Sequence, residues 1–399
     1  MNTIHESLET PVLGEYDVIV CGGGISGLTA AVSAARLGAS VLLLEKGVLL
    51  GGLATAGLIS WYEPLCDGRG RRIMNGMAYE LLRLCIQYGF HDLPEDWMPP
   101  AKTSGSGRRL CTNFSHSLFA MALDEWLLDS GVKLLLDTCV TSPYVTGSRI
   151  DGVFVENKDG RGCYRCRVII DCTGDADIAL RSGIPWENGV NYLTYIGYCS
   201  DTQTAKAAAE KQNMLLARKW HNSGADLWGR GHPEGLPCYT GVDAEQLTDF
   251  VIRGRRRLFE QAKSAEPFSR DYSALPSMAQ YRKTRRIIGE YTLTEADQGK
   301  HFDHSVAAVG DFARRGQLYE IPYETLYHRK IENLYVAGRC ISSTGWAWDV
   351  TRVIPAAAAT GEAAGAAAVL CCRENTANHA LSVGKLQDQL LHQGVWLHF

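Results

Sequence analysis

An α/β fold built on a parallel sheet is what this sequence predicts, and three features predict it. The first 45 residues run strand, glycine turn, helix, strand. Residues 139–171 form β-branched runs separated by glycine turns. Residues 331–372 return to a buried strand followed by a long helix of small residues. Between the last two lies a more polar stretch, 186–314, with no strand–helix–strand signal. It reads as an inserted, largely helical substrate or cap domain with some strand content. The expected division is a discontinuous nucleotide-binding domain, 1–185 and 315–399, around a cap at 186–314.

Taken in order, YDVIVC at 16–21 is a short apolar run ending in glycines, the pattern of a buried strand. ISGLTAAVSAARL at 25–37 is alanine- and leucine-rich and stops at Gly38, as a helix does. SVLLLE at 40–45 is a second buried strand. Residues 49–58 form a glycine-rich loop, 76–89 a helix, 94–109 a loop rich in turn formers, 115–130 an amphipathic helix and 132–136 a strand. The segment 139–171 is a small antiparallel meander with turns at 147–152 and 159–162. It ends in the strand VIID and then CTGDAD. Residues 331–339 are a strand and 353–372 a helix with small residues on every face.

The first turn carries the chemistry. In CGGGISG, Gly22, Gly24 and Gly27 fit the spacing GxGxxG. One glycine makes the tight turn, the next lets backbone approach a pyrophosphate, and the third lets helix and strand pack closely. The N–H groups of Ile25 and Ser26 then face the phosphates at the positive end of the helix. Glu45 closes the second strand, 18 residues after Gly27, where a carboxylate accepts from ribose hydroxyls. A lone GxGxxG is weak, but strand, helix, strand and acid all occur here in order. The unit is a Rossmann-type dinucleotide site.

Composition bounds the rest. Of 399 residues, 46% are hydrophobic and 21% charged, and the formal net charge is −4. That gives no basic field for nucleic acid or anionic lipid. Residues 354–372 are apolar but alanine-rich and include Glu362, so they read as a buried helix and not a membrane span. The N-terminus shows no secretory signal, and 13 scattered cysteines read as reduced thiols, so a cytoplasmic setting is expected. Cys163 and Cys166 form one CxxC without a second pair, and no metal site is read from the sequence.

With GGLAT at 51–55, IDCTGDADIA at 170–179, RKTRRIIGEY at 282–291 and NLYVAGRCIS at 333–342, the chain resembles the bacterial FAD-dependent oxidoreductases of the glutathione-reductase-like two-dinucleotide-binding flavoprotein superfamily. The resemblance runs from Tyr16 to about Leu370. It implies a Rossmann-type FAD-binding core with a β-meander. It places Gly22, Gly24 and Gly27 on the pyrophosphate, Glu45 on the ribose and Lys46 over the adenosine. Gly51, Gly52 and Ala54 would approach the pyrophosphate and ribityl region, and Cys139 or Val140 the adenine. Thr173 and Gly174 would cover the dinucleotide, and Gly338 and Arg339 would meet the ribityl chain. The helix beginning near Ile354, with Pro355 in its first turn, would direct its N-terminus at the flavin pyrimidine, favouring negative charge there.

No second GxGxxG precedes a helix, and no CxxxxC lies near the flavin motifs. Electrons are therefore expected to pass between the flavin and a small organic substrate, with an external acceptor or donor closing the cycle. Arg282, Arg285 and Arg286 are candidates to clamp a substrate carboxylate; a solvated helix face, or pairing with Glu290, is the alternative. Trp346, Trp348, Asp349 and Arg352 precede the last helix and are expected near the isoalloxazine, the tryptophans to stack on substrate or pack in the core. His301 and His304 are candidate bases or ordinary surface histidines. Three functions follow: a dehydrogenase or oxidase passing a hydride from substrate to flavin N5, a reductase of an activated double bond fed by an external donor, or a dinucleotide-binding synthase without net redox turnover. A homo-oligomer is compatible with all three.

Overall fold

The structure is a computed structural model and describes residues 3–399. Its centre is a seven-stranded sheet. Strand Val12–Cys21 lies between Val41–Leu44 and Gly160–Asp171, parallel to both, and Lys133–Leu135 extends the sheet beyond Val41–Leu44. The helix between the first two strands is Ile25–Arg36.

The meander is part of this same sheet. Strand Gly160–Asp171 runs beside the first strand along its length. On its other edge, residues 160–165 pair antiparallel with Gly152–Asn157, and residues 169–171 pair parallel with Leu334–Val336. One long strand therefore belongs to both halves, which is why VIID follows the meander without a break. Strands Cys139–Thr146, Arg149–Asn157 and Gly160–Asp171 meet in tighter turns than the glycine positions suggest.

The helix Ile354–Glu374 is long and apolar enough to cross a membrane, yet 18 of its 21 residues are buried in the fold. It packs against Ile25–Arg36 at backbone distance. A Cβ on Gly361 would lie 2.2 Å from the Ser26 carbonyl oxygen, and one on Gly365 2.3 Å from that of Ala30. The Ser33 hydroxyl donates to the Glu362 carbonyl at 2.9 Å across the seam. The small residues are thus needed for contact between helices.

Glu362 points the other way and accepts from the Met77 N–H at 2.8 Å, at the start of helix Met77–Gln87. Burial pushes its carboxyl up to about 8, and the nearby Glu80 charge adds to the rise. The fold thus keeps a proton that the unfolded chain releases above its ordinary value of 4.5. Stability should fall as pH rises from that value to about 8, by at most about 1.4 kcal/mol per pH unit from this group. Glu362→Gln keeps the acceptor and removes the titration. Urea unfolding between pH 5 and pH 8 is expected to show a flatter pH dependence for this variant than for the unaltered protein.

Residues 186–314 correct the expectation of a largely helical insert. They hold two helices, Thr202–Lys211 and Ala244–Lys263, beside six strands. Thr194–Asp201 pairs antiparallel with both Lys219–Gly224 and Arg270–Ala274, and Ala244–Lys263 lies on this sheet. Gly254 allows the approach: a Cβ there would meet the Tyr195 ring at 2.4 Å. The outer strands Lys219–Gly224 and Arg270–Ala274 are short and largely exposed, so their polar residues hide the alternation that marks a strand. Trp186–Asn188 pairs with Arg285–Ile287, and strand Ser305–Gly310 forms a hairpin with Leu318–Pro322.

Candidate active site

The three glycines of the first turn divide by what surrounds them. A Cβ on Gly22 would lie 2.4 Å from the Cys172 carbonyl oxygen, and one on Gly27 1.8 Å from that of Gly22. Both are required by protein packing. A Cβ on Gly24 would meet nothing within 4 Å, so its open side is available to a group that is not protein. Gly24 caps helix Ile25–Arg36 without any side-chain hydrogen bond, which leaves the N–H groups of Ile25 and Ser26 for an anion.

Gly51 and Gly52 form the opposite wall. The Gly51 N–H donates to the Gly23 carbonyl at 2.8 Å, and a Cβ on Gly52 would come within 3.1 Å of Gly24 Cα. Both have positive φ, 97° and 56°, and the turn they start buries Ala54. Glu45 accepts from the Gly23 and Gly47 N–H groups, each at 2.6 Å. These bonds hold the carboxylate at the rim of the turn, and each oxygen keeps a lone pair for a ribose hydroxyl. The Thr138 N–H donates to the Glu45 carbonyl at 3.0 Å, which sets Cys139 and Val140 alongside the exposed Lys46. This cradle fits the ADP half of FAD.

At the far end, Thr173 donates to the buried Asp171 carboxylate at 2.7 Å, and Gly338 donates its N–H to the Thr360 hydroxyl at 3.0 Å. Gly338 has φ 78°, and a Cβ there would strike the Ser26 hydroxyl at 2.5 Å. The Arg339 side chain is taken up by protein groups. Its Nε donates to the Gly174 carbonyl at 2.7 Å, Nη1 to the Tyr281 carbonyl at 2.6 Å, and Nη2 pairs with Asp175 at 2.7 Å. It buttresses the 174–175 turn, and only its backbone is left to approach a cofactor.

Four of the candidate residues, Arg282, Trp346, Asp349 and Arg352, share one locality. Asp349, Arg352 and Trp346 lie three residues apart along helix Gly345–Thr351 and its end, on one face. Asp349 accepts from Arg352 at 3.0 Å and from Lys283 Nζ at 2.7 Å. Arg282 donates to the Asp226 carbonyl at 3.0 Å. Burial lowers its pKa to about 10, and the Arg352 charge pushes the same way. From that same loop, Trp228 stacks on Trp346, with centroids 6.5 Å apart and planes 6° off parallel. Trp346 also donates to Asp311 at 2.5 Å and stacks on Phe312. Arg352 directly precedes Val353, the cap of helix Ile354–Glu374. The cluster therefore stands at the helix N-terminus assigned to the flavin pyrimidine.

Arg285, Arg286 and His304 are corrections. Arg285 is buried over the Trp186 ring and donates to the Asp175 carbonyl at 2.9 Å, while Arg286 pairs with Glu187. A helix would bring 282, 285 and 286 to one face; the extended backbone found here splays them. His304 is exposed and pairs with Glu324 at 2.6 Å. It precedes strand Ser305–Gly310, whereas Asp311, which holds Trp346, follows it, so about 20 Å of strand separates them. Trp348 is buried and donates to the Arg339 carbonyl at 2.6 Å, a packing role.

Lys283 was missed because a lysine inside RKTRR carries no sign of its partner 66 residues away. Glu63 was missed as well. It is half-buried, its Oε2 is shielded and has no hydrogen-bond partner, and burial pushes the carboxyl up to about 7 against the pull of Arg352 and the Ile354 N–H. A carboxylate in the otherwise apolar run ISWYEPL was the available signal.

Comparison with known proteins agrees with this geometry. The family described as FAD dependent oxidoreductase matches residues 17–194 and 202–390. A 4-oxocyclohexanecarboxylate 2-dehydrogenase of Sinomonas cyclohexanicum is 55% identical over 47 residues, which is 12% of this chain and 8% of that protein. A thioredoxin reductase of Bacillus subtilis (strain 168) is 31% identical over 80 residues, 20% of this chain and 25% of that protein. The matched stretches are thus a small part of either relative. The crystal structure of p-nitrophenol 4-monooxygenase PnpA from Pseudomonas putida DLL-E4 shares the fold, with a TM-score of 0.51 at 12% identity over 95% of this chain and 84% of that one. With the family matched over most of its length and a glycine cradle shaped for the dinucleotide, this chain belongs to the FAD-dependent oxidoreductases.

Proposed function

We propose that this enzyme is a flavin-dependent dehydrogenase or oxidase of a small organic acid. The observation that carries the reading is the charge beside the flavin locality: Arg282, Lys283 and Arg352 gather around a single paired carboxylate, Asp349. Bound FAD supplies a two-electron carrier that exchanges a hydride with substrate carbon at N5. Asp349 fixes Lys283 and Arg352, which leaves Arg282 with donors free for a substrate carboxylate. Trp228 and Trp346 form a flat wall suited to an apolar or planar substrate body. The N-terminus of helix Ile354–Glu374 favours negative charge at the pyrimidine end. Glu63 holds or accepts a proton at Oε2 near neutral pH. Residues 186–314 act as the cap, since Trp228 and Arg282 come from them.

The same cations would seat a carboxylated acceptor in a double-bond reductase. Anaerobic mixing separates the two readings. Hydroxy, amino or aliphatic acids are expected to bleach the oxidised flavin, and failure of a broad panel of such acids would sink the dehydrogenase reading. Reoxidation of dithionite-reduced enzyme by unsaturated acids would favour the reductase. Family membership favours both over a synthase without redox turnover.

A further inference from the structure

We propose that His301, Glu320 and His398 form a binding site for a divalent transition-metal ion, zinc by its donor set, apart from the flavin site. Glu320 lies in strand Leu318–Pro322 and is 1% exposed. Among the described residues it pairs with no lysine or arginine. Its neighbours are His301 Nδ1 at 3.3 Å, His398 Nδ1 at 3.0 Å and the Phe302 N–H at 2.8 Å. A buried carboxylate whose charged partners are absent is costly, and a bound cation removes that cost.

The geometry suits a small ion. The three donor atoms lie within 4.8 Å of one another. In a tetrahedral zinc site with bonds of about 2.0 Å, neighbouring donor atoms are about 3.3 Å apart. The two His–Glu separations already have that spacing, and the imidazole rings stand 4.6 Å apart. Two imidazoles and one carboxylate are a zinc-type donor set, and the exposed rim leaves the fourth position to water.

A second observation points the same way. The other nitrogen of His301, Nε2, faces Asp303 Oδ1 at 3.4 Å. Metal-bound histidines typically donate their far N–H to a carboxylate, which fixes the tautomer and the ring plane. The Phe302 N–H likewise fixes the Glu320 carboxylate. The ligands come from three segments, and the last of them, near the chain end, already lies on the hairpin: Ala308 donates to the Trp396 carbonyl at 3.2 Å and Ser305 to that of Leu397 at 2.6 Å. The ion would clip these segments together. Glu320 pairs with Ala308 in the hairpin, on the side covered by the 396–398 segment, so the ion's role in this proposal is structural.

The test uses untagged, FAD-loaded protein, stripped with chelator and titrated with Co(II), then Zn(II). One equivalent of Co(II) is expected to give the visible band of a tetrahedral site, and zinc should displace it. His301→Ala and His398→Ala are expected to lose binding by at least about tenfold, and Asp303→Asn by about tenfold, with flavin content unchanged in all three. Zinc should raise the Tm of the unaltered protein and not that of His398→Ala. Both histidines are exposed, and unchanged flavin content together with far-ultraviolet circular dichroism shows that each variant is folded. Absence of a stoichiometric band, or wild-type affinity in His398→Ala, would overturn the proposal and leave the histidines as plain hydrogen-bond partners of Glu320.

Discussion

Gly24→Ala is expected to give a protein that folds normally and loses FAD. The new Cβ meets no protein atom within 4 Å, and Gly24 has φ −71°, which any residue adopts. The apo protein should therefore unfold at nearly the same denaturant midpoint as the unaltered apo protein. The methyl group stands where backbone must approach the pyrophosphate. FAD affinity should fall by about a hundredfold or more, equivalent to about 2.7 kcal/mol. Gly27→Ala serves as the contrast. Its Cβ would lie 1.8 Å from a carbonyl oxygen, so it should damage the fold as well as the site. Far-ultraviolet circular dichroism, denaturant titration and retained flavin after gel filtration distinguish the two. If Gly24→Ala keeps full FAD affinity, the pyrophosphate does not sit on this turn.

Arg282→Met is expected to retain flavin and lose turnover. Methionine keeps most of the apolar stem, while the guanidinium, with its charge beside Asp349 and its bond to the Asp226 carbonyl, is removed. Losing a charge-assisted contact to a substrate carboxylate costs about 2–4 kcal/mol, a fall in kcat/KM of about thirty- to a thousandfold. The loss should be confined to carboxylated substrates. A neutral ester of the same substrate should be turned over equally by both proteins. Equal loss on acid and ester would mean that Arg282 supports the site's shape and does not bind substrate. Arg285→Met provides the control: it should lower stability, because Arg285 is buried against Asp175 and Asp177, without this selectivity.

The parts of this molecule that were legible in its sequence are those built from neighbours in the chain. The turn Gly22–Gly27, the strand ending at Glu45 and the helix of small residues at 354–374 each depend on local spacing, and the structure places them as that spacing requires. The insert was harder to read. Lys219–Gly224 is a strand because Thr194–Asp201 supplies its partner, and nothing in KWHNSG alternates strongly enough to announce it. The surroundings of the catalytic candidates were hidden for the same reason. Arg282 donates to the Asp226 carbonyl and Lys283 pairs with Asp349, contacts that join distant parts of the chain. Arg285 looked equivalent to Arg282 because both sit in one short run of cations. The extended backbone sends it to Asp175 instead.

The central claim is that the Gly22–Glu45 cradle holds FAD, and one measurement tests it most directly. The protein is purified without added cofactor, its absorption spectrum is recorded, and the material released by heat is weighed by mass spectrometry. The account predicts the absorption bands of oxidised flavin and released FAD at close to one per chain. A colourless protein that takes up no added FAD would contradict it, and would mean that the glycine turn binds a different nucleotide.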